Sequence, residues 1–96
     1  MTAYVIAQLR IHDPVRFDRY VAGFMPVLTR YGGRLVATDG EPEVMEGPWS
    51  GDRVVVLAFD DRDAAKAWAA SAEYREIVKD RWAAAETVLL LVQGME

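Results

Sequence analysis

Residues 3–11 alternate: Ala3, Val5, Ala7, Leu9 and Ile11 fall on one side, and Tyr4, Ile6, Gln8 and Arg10 on the other. A period of two is strand geometry, so a strand is predicted here. His12-Asp13-Pro14 ends it. Asp13 can cap a first helical turn, and Pro14 suits the first helical position, where its missing donor is not needed. The period then changes. Phe17, Tyr20, Val21, Phe24, Leu28 and Tyr31 recur three or four apart as one helical stripe, with Arg16, Asp18, Arg19 and Arg30 largely outside it. Pro26 cannot donate to the carbonyl of Ala22, and with Gly23 it predicts a kink or short break near 22–26. Gly32-Gly33 stops the helix.

Arg34 to Thr38 reads as a short strand broken at Asp39-Gly40, with Glu43 to Glu46 able to extend it beyond a bulge or turn. Gly47 to Asp52 is a loop by composition. Arg53 to Phe59 is a strand whose Val54-Val55-Val56-Leu57 core is apolar on both faces. The acids of Asp60-Asp61-Arg62-Asp63 suit a helix start, followed by an alanine-rich helix through Ala70 that carries Trp68. Ser71 reads as a second cap, which predicts a break and a restart. Tyr74, Ile77, Val78, Arg81, Trp82 and Ala85 form the next stripe, and Glu86 to Gln93 closes the chain as a strand, Val88 to Val92 being apolar throughout.

The order is β-α-β-β-α-β in a single domain over residues 1–96, without repeats or linkers. Right-handed crossovers place both helices on one face of one sheet, which is an α+β ferredoxin-like sandwich. Two helices cover only that face. The strands 53–59 and 86–93 do not alternate, so large aliphatic side chains remain on the other. Each is worth ~1.5–3 kcal/mol when buried, so a handful left bare forfeits about as much as a domain's whole stability of ~5–15 kcal/mol. A second copy packing sheet to sheet is the simplest cover, and a homodimer is expected.

Composition narrows the function classes. With 96 residues, 52% apolar and 27% charged, the chain is an ordinary globular domain and not a disordered segment. A formal net charge of −4 has the wrong sign for a non-specific nucleic-acid partner. The absence of cysteine removes disulfides and thiol chemistry. The longest apolar run falls far short of the ~20 residues that span a bilayer, and the start lacks the basic leader of a signal peptide. A cytoplasmic protein without a membrane partner is expected.

Several blocks carry a resemblance: Tyr31-Gly32-Gly33-Arg34, Glu43 to Trp49, Arg53 to Val56 with Phe59, Ala67-Trp68, Ser71 to Tyr74, Arg81, and Val92-Gln93-Gly94. In order and spacing the chain resembles, from Tyr4 to Gly94, the bacterial family called domain of unknown function 1330. The resemblance implies a dimeric α/β-barrel in which two ferredoxin-like sheets pack face to face, and it implies no activity. Three positions depart from the family's habit: Ala37 to Gly40 replaces an Arg-Gly-Gly-like turn, Ala58 an acidic residue, and Ala69 a tyrosine. Each departure removes a polar group.

The single histidine, His12, lies in a turn before a helix and has no companion ligands, so neither a metal nor a cofactor is predicted. Ser50 lacks a base and Ser71 is a cap, so no catalytic residue stands out. Arg81 lies on an apolar stripe, where its guanidinium could hold a carboxylate in bidentate fashion. Arg53, Trp68 and Tyr74 join it as candidates for a ligand cleft. Tyr4, Gln8 and Arg10 form a polar row expected to face the barrel interior, where they would suit a small pocket. The expectation is a homodimer binding a small organic or anionic ligand in the barrel cleft. Two alternatives stand beside it: a cofactor-independent monooxygenase- or isomerase-like enzyme, and a structural or regulatory dimer with a filled barrel.

Overall fold

A computed structural model describes residues 1–95. Four strands and three helices follow one another as β1 (Ala3–Ile11), α1 (Pro14–Arg30), β2 (Arg34–Asp39), β3 (Arg53–Phe59), α2 (Arg62–Ala70), α3 (Ala72–Ala84) and β4 (Ala85–Gln93). The strands form one sheet in the order β2-β3-β1-β4, every neighbouring pair antiparallel. This is the ferredoxin-like α+β fold.

Local chemistry accounts for the boundaries. The Asp13 carboxylate accepts from the Arg16 N–H at 3.2 Å, and Asp61 accepts from Ala64 N–H at 2.8 Å, so both caps supply acceptors to orphan helix donors. At the other end of α1, Gly32 N–H donates to Thr29 O and Gly33 N–H to Leu28 O. That paired closure needs a left-handed residue, and Gly32 has φ +76°. Ser71 does two jobs between α2 and α3. Its hydroxyl donates to Trp68 O at 2.8 Å and accepts from Tyr74 N–H at 3.1 Å, so the predicted break is present.

Three expectations are corrected. The short break, one of the two forms expected near 22–26, is absent: helix α1 runs from 14 to 30, because Pro26 lies on its exposed side, where water can satisfy the carbonyl that Pro26 leaves without a donor. Residues 43–46 form no strand; β2 ends at Asp39, its pairing with β3 already shifted by a bulge between Leu35 and Ala37. Trp82, placed on the inner stripe by spacing, is exposed.

Register assigns the faces. Val5 pairs with Leu57 and Leu91, and Ala7 with Val55 and Leu89, so these side chains share the face that meets the helices. The core lies there, with Leu9, Phe17, Leu28, Phe59, Trp68 and Val78 buried in it. On the other face run three cross-strand rows: Ala58-Tyr4-Val92, Val56-Ile6-Leu90 and Val54-Gln8-Val88. The chain is about 15 Å thick between Cα extremes, enough for one sheet and one layer of helices. The second face is therefore bare. Val88 is 54% and Leu90 46% exposed, and the 40–52 loop offers them little, its Met45 being 96% exposed. No helix among the described residues is long and apolar enough to cross a membrane.

The backbone of helix α1 approaches α3 more closely than it approaches the sheet. Gly23 permits this: a Cβ there would lie 2.9 Å from Ile77 Cγ2. Arg16 pairs with Asp80 at 3.1 Å on one side of that contact, and Arg30 with Glu73 at 2.8 Å on the other. The bonds from Arg30 and then Tyr31 hold the Glu73 carboxyl below its ordinary range. Clamped in this way, α1 stands off β2 and β3.

Candidate functional site

The gap that results is a cleft of about 660 Å³ between α1 and the helix-facing side of the sheet. That is the scale of small-molecule sites, which run ~300–1,000 Å³. One wall is the α1 stripe of Phe17, Tyr20 and Phe24; the floor is Ala7, Leu9, Val55 and Leu57; Trp68 and Arg81 close the inner end. The aromatic rings form a continuous set, with Tyr20 to Phe24 centroids at 5.5 Å, Phe24 to Trp68 at 6.2 Å and Trp68 to Tyr74 at 4.2 Å.

The polar groups at the inner end are unusual for their surroundings. Arg81 is only 6% exposed, yet no carboxylate lies within ion-pair distance of it among the described residues. Its Nη2 donates to the Tyr74 hydroxyl over a long 3.4 Å, its Cζ stands 5.6 Å from the Tyr20 ring centroid, and its Nε has no partner. The indole Nε1 of Trp68, a residue 1% exposed, is likewise unpartnered. Burying a charge or a donor without a partner is costly. Both orphans are donors, and an arginine or indole N–H can be satisfied only by an acceptor.

The Tyr20 and Tyr74 hydroxyls lie 3.2 Å apart. Burial, and then the neighbouring Tyr74, push the Tyr20 phenol well above its ordinary value, against a weaker opposing pull from Arg81. Tyr20 thus stays protonated at neutral pH and adds an O–H to the cleft wall. Sequence reasoning misses Tyr20, placing it on the α1 stripe as packing. A hydroxyl in the middle of an otherwise apolar stripe is the signal that could have found it.

The sheet divides the seven candidates. Arg81, Trp68 and Arg53 line the cleft, and Tyr74 supports Arg81 from behind. Tyr4, Gln8 and Arg10 lie on the opposite face of the sheet, away from this cleft. Gln8 and Arg10 instead border a small recess with Trp49 and Val88. No cluster of three or more His, Cys, Asp or Glu side chains that could hold a metal ion is present among the described residues.

A family model described as Domain of unknown function (DUF1330) matches residues 2–95. Comparison with curated proteins gives no match. Among solved structures, a protein of unknown function from Rhodopseudomonas palustris, RPA0582, is similar with a TM-score of 0.81 at 21% identity, covering 99% of this chain and 83% of that one. SnoaB, described as a cofactor-independent oxygenase from Streptomyces nogalater, is similar at TM-score 0.73 and 16% identity, over 99% of this chain and 94% of its own. A dimeric ferredoxin-like protein of unknown function from Bacteroides fragilis is similar at 0.71 and 13% identity, over 97% and 96% of the two chains. At these identities the likeness is one of fold.

Proposed function

This chain belongs to the DUF1330 family, and we propose that it is a homodimeric binding protein whose cleft holds a small organic acid. One observation carries the ligand: a buried guanidinium, Arg81, at the end of an apolar cleft and without a carboxylate of its own. A ligand carboxylate supplies the missing counter-charge to Arg81, and the aromatic wall takes the ligand's apolar body. The homodimer is supported by the bare rows around Ile6 and Leu90 and by the fold's occurrence in a protein described as dimeric.

The test is calorimetric titration and thermal shift with a panel of aromatic and aliphatic monocarboxylates, on the wild type and on Arg81→Gln. Acids with an apolar body stabilise the wild type in proportion to their occupancy and leave the variant unmoved. A panel that stabilises neither protein, or both equally, refutes the reading.

A second reading, turnover of the bound acid by oxygenase- or isomerase-like chemistry, is favoured by one observation. Asp18 places a carboxylate, able to act as a base, on the wall of the same cleft. Asp52 lines it too, but its Oδ2 is already committed to Ile11 N–H at 2.7 Å. Product formation that Asp18→Asn abolishes would support this reading, and wild-type protein that returns every bound acid unchanged would remove it.

A further inference from the structure

We infer that the cleft is built for a dicarboxylate, Arg81 holding one carboxylate at the inner end and Arg53 the other nearer the mouth. This rests on the reading of the cleft as an organic-acid site. Arg53 opens β3 opposite Leu9, so its side chain leaves the sheet on the helix side and lines the same cleft. The ion pairs among the described residues engage Arg16, Arg30, Arg34 and Lys79, and neither Arg53 nor Arg81. Arg53 Nη1 donates to the Thr38 hydroxyl at 2.9 Å, and its Nη2 lies against Gly40, where a Cβ would come within 3.0 Å of it. The end of β2 therefore orients this cation without neutralising it.

Topology sets the spacing. Ala85 pairs with Ile11 and follows Arg81 by about one helical turn, while Arg53 pairs with Leu9. Both cations thus reach the same end of the sheet, one from above β4 and one from β3, with β1 between them. Strands two places apart are separated by roughly 10 Å, so a short ligand lying across β1 has one end on the Arg53 side and the other on the Arg81 side. Leu9 and Val55 lie in that interval, so the spacer is apolar: one ring or a short chain. Of the two acids on the lining, Asp52 is held by Ile11 N–H and Asp18 is exposed on α1, and neither is within ion-pair distance of either arginine. A carboxylate suits the inner end, because the planar guanidinium fork of Arg81, which lines it, matches a planar pair of oxygens.

The experiment is calorimetric titration of the full chain near neutral pH with two matched pairs: benzoate against benzene-1,4-dicarboxylate, and hexanoate against hexanedioate. The dianion of at least one pair is expected to bind about tenfold tighter than its monoanion, the gain typical of one added charge-assisted contact. Arg53→Gln should erase that preference, lowering dianion affinity about tenfold more than monoanion affinity, whereas Arg81→Gln should lose binding of both. Equal affinities within each pair, or a dianion preference that survives Arg53→Gln, overturn the two-anchor inference while the monoacid site stands. Absence of binding by all four overturns it as well. Should Arg53→Gln fail to fold, Arg53→Lys keeps the charge without the fork, and it must lower dianion affinity several-fold for the inference to hold.

Discussion

Arg81 Nη2 meets the Tyr74 hydroxyl at 3.4 Å, and no carboxylate among the described residues lies within ion-pair distance of this buried cation. A cation held so weakly costs the unliganded fold. Arg81→Met keeps much of the volume and removes the charge, so the variant should melt at the wild-type temperature or a few degrees above it, a gain on the order of 1 kcal/mol. Organic acids should no longer raise that temperature. A strongly destabilised unliganded variant would show instead that Arg81 serves the fold, and scanning calorimetry with and without acid separates the outcomes.

Ser71→Ala addresses the framework behind the cleft. The Ser71 hydroxyl ties Trp68 O to Tyr74 N–H and so fixes the angle between α2 and α3. Its loss removes a cap and leaves a buried N–H unpaired, a cost of about 1–3 kcal/mol by denaturant titration. Because Trp68 and Tyr74 both contact the inner end, acid affinity should fall with stability. Full stability would mean that another acceptor takes over the Tyr74 N–H.

Much of this fold is legible along the chain, and the reason differs by element. Strand β1 and the valine run of β3 declare themselves by period and composition, and the Asp13, Asp61 and Ser71 caps by local chemistry. The bare sheet face follows from counting helices against strands. The cleft does not follow, because its existence depends on how α1 docks. Gly23 on Ile77, Arg16 on Asp80 and Arg30 on Glu73 join residues more than forty positions apart, and only together do they hold α1 away from β2 and β3. Arg81 is recognisable as an inward arginine on a stripe. Its lack of a counter-ion is a three-dimensional fact, as is the separation of Tyr4, Gln8 and Arg10 from it by the sheet.

Tyr20 gives a pH dependence with a definite sign. Its phenol, ordinarily ionising near 10.0, is pushed upward in the fold, chiefly by burial. The native state therefore retains a proton that the unfolded chain gives up. The stability linked to Tyr20 is complete below about pH 10 and declines as pH rises past it. Spectrophotometric titration should show fewer of the four tyrosines ionising reversibly in the folded protein, with the remainder ionising only on alkaline unfolding. Tyr20→Phe should move that alkaline transition upward. Ionisation of all four near pH 10 with the fold intact would contradict the burial of this hydroxyl.

The bare face predicts its own disruption. Val56, Ile6 and Leu90 form a row across three adjacent strands on the face away from the helices, with Leu90 exposed and Val56 and Ile6 half-buried. In a two-fold dimer the same row meets itself, so a single substitution is felt twice. Leu90→Lys would bury two like charges in an apolar contact, at a cost on the order of several kcal/mol for each ion. Sedimentation should therefore find the wild type at twice the chain mass at micromolar concentration and the variant at the chain mass, with the circular dichroism of both unchanged. Val15→Lys, at an exposed position on α1 away from the sheet, should leave the assembly intact. A wild type that already sediments as a single chain would mean that this face is tolerated bare, and the homodimer would have to be abandoned, whereas the cleft, lying on the other side of the sheet, would keep its arginines and its test.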